Sequence, residues 1–278
     1  MKELKHLSEI FSNYDTFVID LWGVMHNGIK LNPQAIEAIN HLKNNAKKIV
    51  FLSNAPRPSA KVIDFLLKMK MDKQYLSNVM TSGEAAMNAI NNNKFGKKFF
   101  HLGPPRDVAI FEKVKENSTT IDNCEFILCT GLFDEDDPDV NKSQLHENDL
   151  DYYKNFLIKH ISKKLVCTNP DLTVHRGDKE EYCAGYVAKI FEELGGETIY
   201  YGKPHKEIYE MCFEKNEKVL AIGDNLRTDI KGANNLNKDC LFISDGVHRD
   251  EFNNKLELEK LINKYKVTVN YFQNELKW

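Results

Sequence analysis

Several short apolar runs in this 278-residue chain end in side chains that could take part in catalysis. The runs and the residues that end them are TFVI with Asp20, IVFL with Ser53 and Asn54, TIYYG with Lys203, and VLAIG with Asp224, which Asp229 follows closely. If these runs are parallel strands, their carboxyl ends meet at one edge of a sheet, where open α/β sheets bind ligands. Carboxylates, a hydroxyl and a cation would then share one site.

That mixture of side chains suits phosphoryl transfer. A carboxylate nucleophile can form an aspartyl phosphate, which divides one difficult displacement into two easier steps. Carboxylates that lie together also bind Mg²⁺, which prefers oxygen ligands and keeps waters and phosphate oxygens in its shell. A lysine and a hydroxyl can neutralise and orient the other phosphoryl oxygens. Any one of these residues alone would be an ordinary strand terminus, but the combination is hard to explain as capping.

The chain alternates apolar runs with longer amphipathic segments, which is the pattern of βα units around a parallel sheet. Predicted strands lie at 16–20, 48–52, 78–82, 97–103, 124–130, 164–169, 197–202, 218–223 and 239–244. Asn32 and Pro33 are suited to begin the helix after the first of them. We therefore predict an α/β fold in which a Rossmann-like parallel sheet core, residues 1–82 and 200–278, carries an inserted α/β cap domain at 83–199.

The segments around the strand ends resemble the four ordered motifs of the haloacid dehalogenase (HAD) superfamily. These segments are Asp20-Leu-Trp-Gly-Val, Ser53-Asn54, Gly202-Lys203-Pro204 and Gly223-Asp224-Asn-Leu-Arg-Thr-Asp229. Their spacing is similar to class IIA, the NagD-like branch with a C2-type cap between the second and third motifs. That branch includes nucleotide, nitrophenyl, phosphoglycolate and pyridoxal phosphatases. The segments TSGEAA (81–86), TNPDLTVHRGD (168–178) and LGGETIYYGKPH (194–205) also resemble landmarks of this branch.

The resemblance implies a role for each matching residue. Asp20 would be the nucleophile and a Mg²⁺ ligand. Ser53 and Asn54 would contact the phosphoryl group, and Lys203 would stabilise charge on the nucleophile and the phosphate. Asp224 and the backbone carbonyl of Trp22 would also ligate Mg²⁺, and Asp229 would bind the ion or hold its waters. In the inserted domain, Asn169 and Asp171 would contact the substrate, with His175 and Arg176 as further candidates for substrate selection.

Position 22 departs from the pattern of the superfamily. Most of its phosphatases carry a second aspartate two residues after the nucleophile, which protonates the leaving oxygen and later activates water. Trp22 can do neither, because an indole N–H does not titrate. General acid–base catalysis is worth roughly 10²–10⁴ in rate. We therefore expect slow turnover of alkyl phosphates and better turnover of aryl or acyl phosphates, whose leaving groups need little protonation.

His26 and Arg57, which follow the first two motifs, are further candidates for a functional role. His26, in the loop MHNG, has an ordinary pKa suited to proton transfer near neutrality. A structural role for this loop histidine is nevertheless the simpler interpretation. Arg57, in SNAPRPS, could contact an anionic substrate, or it could belong to a rigid turn between two prolines.

Two other functions stay open. Superfamily members that hydrolyse C–halogen or C–P bonds also lack the second aspartate, although the GKP and GDxxxTD motifs and the cap position count against a metal-free dehalogenase. A catalytically impaired phosphate-binding or regulatory protein is favoured by Trp22, while the intact Asp20, Lys203, Asp224 and Asp229 count against it.

Composition limits the remaining partners. A formal net charge of -3 gives no basic excess for binding nucleic acid. No apolar run approaches the roughly 20 residues that cross a membrane. The six cysteines lack metal-ligand spacing, which is typical of reduced thiols in a cytoplasmic protein. We expect a small phosphorylated metabolite as the partner, with homodimerisation through the cap as a further hypothesis.

Overall fold

The computed structural model describes residues 1–133 and 150–278. The acidic stretch 134–139, for which a solvated loop is the expectation, lies outside the described residues. The strands are β1 (Lys2–Glu3), β2 (Thr16–Ile19), β3 (Lys48–Ser53), β4 (Val79–Thr81), β5 (Phe99–Leu102), β6 (Phe126–Cys129), β7 (Lys164–Cys167), β8 (Thr173–Arg176), β9 (Lys179–Tyr182), β10 (Glu197–Tyr200), β11 (Val219–Gly223), β12 (Asp239–Ile243) and β13 (Tyr271–Gln273). The helices are α1 (Pro33–Asn44), α2 (Ser59–Lys68), α3 (Ser82–Asn91), α4 (Leu150–Leu157), α5 (Ala184–Glu193), α6 (Lys206–Glu210), α7 (Lys231–Asn235) and α8 (Lys255–Tyr265), and one π-helical turn spans Leu226–Ile230.

A seven-stranded parallel sheet, the core sheet, has the order β1-β13-β12-β11-β2-β3-β4. In its centre, Ile19 of β2 pairs with Ile222 of β11 on one side and with Phe51 of β3 on the other. Because these strands run in the same direction, the residues that follow them project from one edge. The register therefore brings Asp20 beside the ends of β3 and β11.

A four-stranded parallel sheet, the cap sheet, has the order β10-β7-β6-β5. A separate antiparallel pair, the cap hairpin, joins β8 to β9 between β7 and α5. The predicted α/β fold with a parallel sheet core is confirmed. The division into a core, 1–82 with 200–278, and a cap, 83–199, stays our proposal for the domain limits.

One strand lies in a different sheet from the one that we predicted. We expected the run before Lys203 to end at the edge of the core sheet, but β10 pairs with β7 in the cap sheet, with Thr198 opposite Leu165. That expectation was wrong. An apolar run predicts a parallel strand without predicting which of two parallel sheets it joins. Lys203 reaches the core from the connection that leaves the cap.

Both sheets carry helices on their faces. Helix α1 begins as predicted, since the Asn32 side chain accepts from the backbone N–H groups of Gln34 and Ala35, and Pro33 occupies the first turn. Its apolar face packs with α2 on one side of the core sheet. Helices α4 and α5 cover one face of the cap sheet, and α3 covers the other.

Among the described residues, no helix has the length and apolar character needed to cross a membrane.

Candidate active site at the facing sheet edges

Three buried carboxylates from two core strand ends form the centre of the site. Asp20 follows β2, Asp224 follows β11, and Asp229 lies in the π-helical turn. One carboxylate oxygen from each lies within 4.8 Å of the others. The Lys203 Nζ donates to Oδ1 of Asp20 and to Oδ1 of Asp229, at 2.7 Å each. The structure thus brings together four of the residues selected from the sequence.

Charge in this cluster is unbalanced. Burial raises the pKa of Asp20, and the Lys203 ammonium opposes that shift. Burial also disfavours the ammonium itself, but Asp20 and Asp229 outweigh it and raise the pKa of Lys203 well above its ordinary value. Burial, with Asp20 as the next cause, raises the pKa of Asp224. One ammonium cannot neutralise three carboxylates, so this donor set fits a divalent cation.

The backbone around Asp224 is shaped to approach its carboxylate. The Val247 N–H donates to Oδ2 of Asp224 at 2.8 Å. A Cβ at Gly23 would lie 1.9 Å from the same oxygen, and one at Gly246 would lie 2.2 Å from it. Gly23 also has a φ of +82°, which favours glycine. The two glycines therefore let both loops close around the carboxylate cluster.

Ser53 and Asn54 differ in what their side chains are free to do. The Ser53 Oγ accepts from the Ala55 N–H at 3.2 Å, which leaves its O–H available to donate. The Asn54 side chain is occupied: Oδ1 accepts from the Lys203 N–H at 2.8 Å, and Nδ2 donates to the Lys203 carbonyl at 3.1 Å. A Cβ at Gly202 would lie 2.5 Å from that Oδ1, so glycine permits the contact. This geometry favours a positioning role for Asn54 and a phosphate contact for Ser53.

Asp171 links the cap to the core. Its Oδ1 accepts from the Nδ2 groups of Asn54 and Asn225, at 3.2 Å each. The Asn169 Oδ1 accepts from the Asp171 N–H at 3.1 Å, which fixes the loop after β7. Burial raises the pKa of Asp171. A carboxylate held by two core amides is well placed to align the cap and poorly suited to bind a phosphate.

The Trp22 indole packs beneath the cap hairpin. Its Nε1–H donates to the His175 carbonyl at 2.7 Å, so this donor is already used by the protein. The guanidinium carbon of Arg176 lies 5.2 Å from the centre of the indole ring. A Cβ at Gly28 would lie 2.5 Å from the indole, which explains glycine at that position. Trp22 thus forms a contact between the core and the cap.

His26 has the environment of a structural residue. It is buried, its Nδ1 accepts from the Gly28 N–H at 3.0 Å, and its ring packs edge-to-face against Trp22 and Phe65. Burial, with a smaller effect of Arg176, lowers its pKa to about 4. The imidazole is therefore neutral at pH 7, which favours the structural interpretation over a proton donor.

Arg57 joins the core to a cap residue that sequence reasoning missed. Its Nε donates to Oδ1 of Asp107 at 2.7 Å, and the Asp107 side chain is only 3% exposed. Asp107 lies in the 3₁₀ helix Pro105–Ile110, which follows β5. Applying the strand-end rule to the cap strands would have selected it as well.

The carboxyl ends of both sheets open onto one cavity of about 460 Å³. Asp20, Ser53 and Asp224 line it from the core, and Asp107, Thr130 and Arg176 line it from the cap. This volume is within the usual range for small-molecule sites.

Comparison with known proteins agrees with this architecture. The family model described as haloacid dehalogenase-like hydrolase matches residues 17–115, and the one described as HAD-hydrolase-like matches residues 200–266. The chain is 23% identical to 5'-nucleotidase YutF of Bacillus subtilis, over 86% of this chain and 90% of the relative. It is also 23% identical to ribonucleotide monophosphatase NagD of Escherichia coli, over 83% of this chain and 87% of the relative.

A crystal structure of a haloacid dehalogenase-like family hydrolase from Brucella suis superimposes with a TM-score of 0.81 and 26% identity, covering 99% of this chain and 100% of the other. The two family models match the segments that carry the carboxylates and Lys203, on either side of most of the cap sheet. The chain therefore belongs to the HAD superfamily of hydrolases and has NagD-like relatives.

Proposed function

We propose that the protein is a Mg²⁺-dependent phosphatase of small phosphorylated metabolites that acts through an aspartyl phosphate. One observation carries the proposal: Lys203 holds one oxygen of Asp20, while Oδ2 has no hydrogen-bond partner among the described residues. A carboxylate fixed in this way, buried beside two further carboxylates, is arranged to attack a phosphorus atom. The phosphatase names of the relatives support the same reaction class.

Each residue then has a defined task. Asp20 attacks the phosphorus, and Ser53 donates its hydroxyl hydrogen to a phosphoryl oxygen. Lys203 neutralises charge on Asp20 and on the phosphoryl group, and Asn54 holds the backbone of Lys203. The carboxylates of Asp20, Asp224 and Asp229 and the Trp22 carbonyl would hold Mg²⁺, which would supply positive charge that stabilises the phosphoryl group. Asp171 keeps the cap loop aligned over this group.

Hydrolysis of p-nitrophenyl phosphate with Mg²⁺ tests the proposal. We expect activity in the wild type, its loss after chelation with EDTA, and its recovery on adding Mg²⁺. Asp20→Asn should abolish turnover, and a phosphorylated form of Asp20 should be detectable by mass spectrometry after acid quenching. Lys189→Gln, an exposed cap substitution, is the matched control and should leave the activity unchanged. Retained activity in Asp20→Asn would contradict the nucleophile assignment.

A phosphate-binding protein with impaired turnover is the second candidate. It is favoured by the hydrogen bond that uses the Trp22 N–H and by the low pKa of His26, since neither residue is available as a proton donor. Binding of beryllofluoride or vanadate without hydrolysis of aryl, sugar or nucleotide phosphates would favour this function. A metal-free C–halogen hydrolase is the weaker alternative, because it has no need for the buried carboxylate cluster. Homodimerisation through the cap stays a hypothesis.

A further inference from the structure

The cap hairpin brings a cation to the side of the site where an acid is missing. Two hydrogen bonds dock the hairpin on the loop after Asp20: the Trp22 Nε1–H to the His175 carbonyl at 2.7 Å, and the Gly177 N–H to the Asn27 carbonyl at 2.9 Å. These contacts fix the end of β8 against the segment that follows the proposed nucleophile. Arg176 is the last residue of that strand.

The guanidinium of Arg176 is oriented by two neighbours. It lies over the Trp22 indole, at 5.2 Å from the ring centre, and its Nε lies 3.1 Å and 3.2 Å from the two carboxylate oxygens of Glu181. A cation over an indole face is attracted by the ring quadrupole. Neither Nη group has a hydrogen-bond partner among the described residues. Both can therefore donate to an anion in the cavity that Arg176 lines together with Asp20.

Arg176 brings its positive charge to the lining of the cavity. A guanidinium stays protonated at neutral pH, so it cannot act as a general acid. It can stabilise negative charge that develops on an oxygen, as arginine side chains do in other phosphoryl transfers.

We propose that Arg176 binds the leaving oxygen as an anion, with Trp22 and Glu181 as its positioning residues, and that the substrates are phosphates of acidic hydroxyls: aryl, enol or acyl phosphates. This inference rests on the proposed function.

The bond from Asp20 Oδ2 to phosphorus forms as the bond to the leaving oxygen breaks, and the electron pair stays on that oxygen, which departs without a proton. Water then attacks the phosphorus, the bond to Asp20 breaks, inorganic phosphate forms, and the water proton passes to solvent.

A series of aryl phosphates with leaving groups of increasing pKa tests the role of Arg176. In Arg176→Gln, we expect kcat/KM to fall on the order of 10² for the most basic leaving group and little for the most acidic one. The slope of log kcat/KM against leaving-group pKa should therefore become steeper. Lys189→Gln, which removes another cap cation, should leave the slope unchanged. Parallel plots for the wild type and Arg176→Gln would overturn the proposal.

A binding measurement separates this inference from the phosphatase proposal. The chain has two tryptophans, so in Trp278→Phe the tryptophan fluorescence comes from Trp22 alone. Pentafluorophenol, ionised at neutral pH, serves as the leaving-group probe. We expect it to change the Trp22 fluorescence and to bind about tenfold more weakly once Arg176→Gln is added, which is the loss of one charge-assisted contact. Equal affinities would overturn the anion site, even if the protein hydrolyses phosphates. Absence of hydrolysis with intact, Arg176-dependent binding would overturn only the proposed function.

Discussion

At the scale of single residues, the site contains two kinds of side chain: charged ones, and uncharged ones that position the charged residues. Lys203 contacts two carboxylates, and Asn54 holds the backbone of Lys203 on both its N–H and its carbonyl. Residue types at strand ends were enough to select the first group, because charge and nucleophilicity belong to the side chain itself. The positioning role of Asn54 depends on a partner 149 residues away, which no local pattern reveals.

The pH dependence of stability tests whether His26 has a structural or a catalytic role. Its pKa falls from an ordinary 6.5 to about 4, so the unfolded chain takes up a proton before the folded protein does. Above pH 6.5 the buried neutral His26 does not reduce the free energy of unfolding. As the pH falls from 6.5 toward 4, the free energy of unfolding decreases by at most roughly 3 kcal/mol, because the unfolded chain binds the proton more tightly. In His26→Gln, which keeps an acceptor for the Gly28 N–H, we expect a smaller loss of stability between pH 7 and pH 5.

Urea unfolding at the two pH values measures this difference, and His160→Gln is the control for removing a histidine elsewhere. The pH profile of kcat/KM should be the same in the wild type and His26→Gln. A shift of its acidic limb in the variant would show that His26 takes part in proton transfer and would contradict the structural assignment.

At the scale of elements, the cap hairpin depends on one residue of the core. In Trp22→Phe the ring is kept, but the donor to the His175 carbonyl is lost. A hydrogen bond of this kind contributes about 0.5–1.5 kcal/mol net, so local opening of the hairpin should become about 2- to 10-fold more frequent. Hydrogen exchange of the Gly177 amide, which bonds to the Asn27 carbonyl, measures this opening. Trp278→Phe should leave that rate unchanged, and an equal increase in both variants would contradict the argument.

The elements also show why sequence patterns predicted the core better than the cap contacts. Strand-end residues on β2, β3 and β11 meet because parallel register brings consecutive strand ends to one edge. The place of β10 and the target of Trp22 depend on how two sheets pack. An apolar run or an indole carries no information about a partner on another sheet. Trp22 was visible in the sequence as a departure from the resemblance, but its contact with the cap hairpin was not.

At the scale of the molecule, the two sheets turn their carboxyl ends toward one cavity and are joined by buried polar contacts. Besides Asp171 with its two amides, the ion pair of Arg57 with Asp107 connects the core to the cap. The partners differ in exposure, since Asp107 is 3% exposed and Arg57 is 35% exposed. Burial raises the pKa of Asp107, and Arg57 opposes that shift. The carboxylate therefore depends on its partner more than the guanidinium does.

This asymmetry predicts the order of stabilities in a double-mutant cycle. Arg57→Ala leaves a buried carboxylate with weaker compensation, which typically costs about 3 kcal/mol, although nearby Arg106 reduces that cost. Asp107→Ala leaves a cation that water can reach, so we expect a smaller loss. The double variant should be more stable than Arg57→Ala, because it removes the unpaired charge together with its partner. Urea midpoints of the four proteins measure the cycle. If Arg57→Ala is the most stable of the three variants, the ion pair does not hold the cap against the core. The contacts of Asp171 and of the cap hairpin would then align the two sides of the cavity.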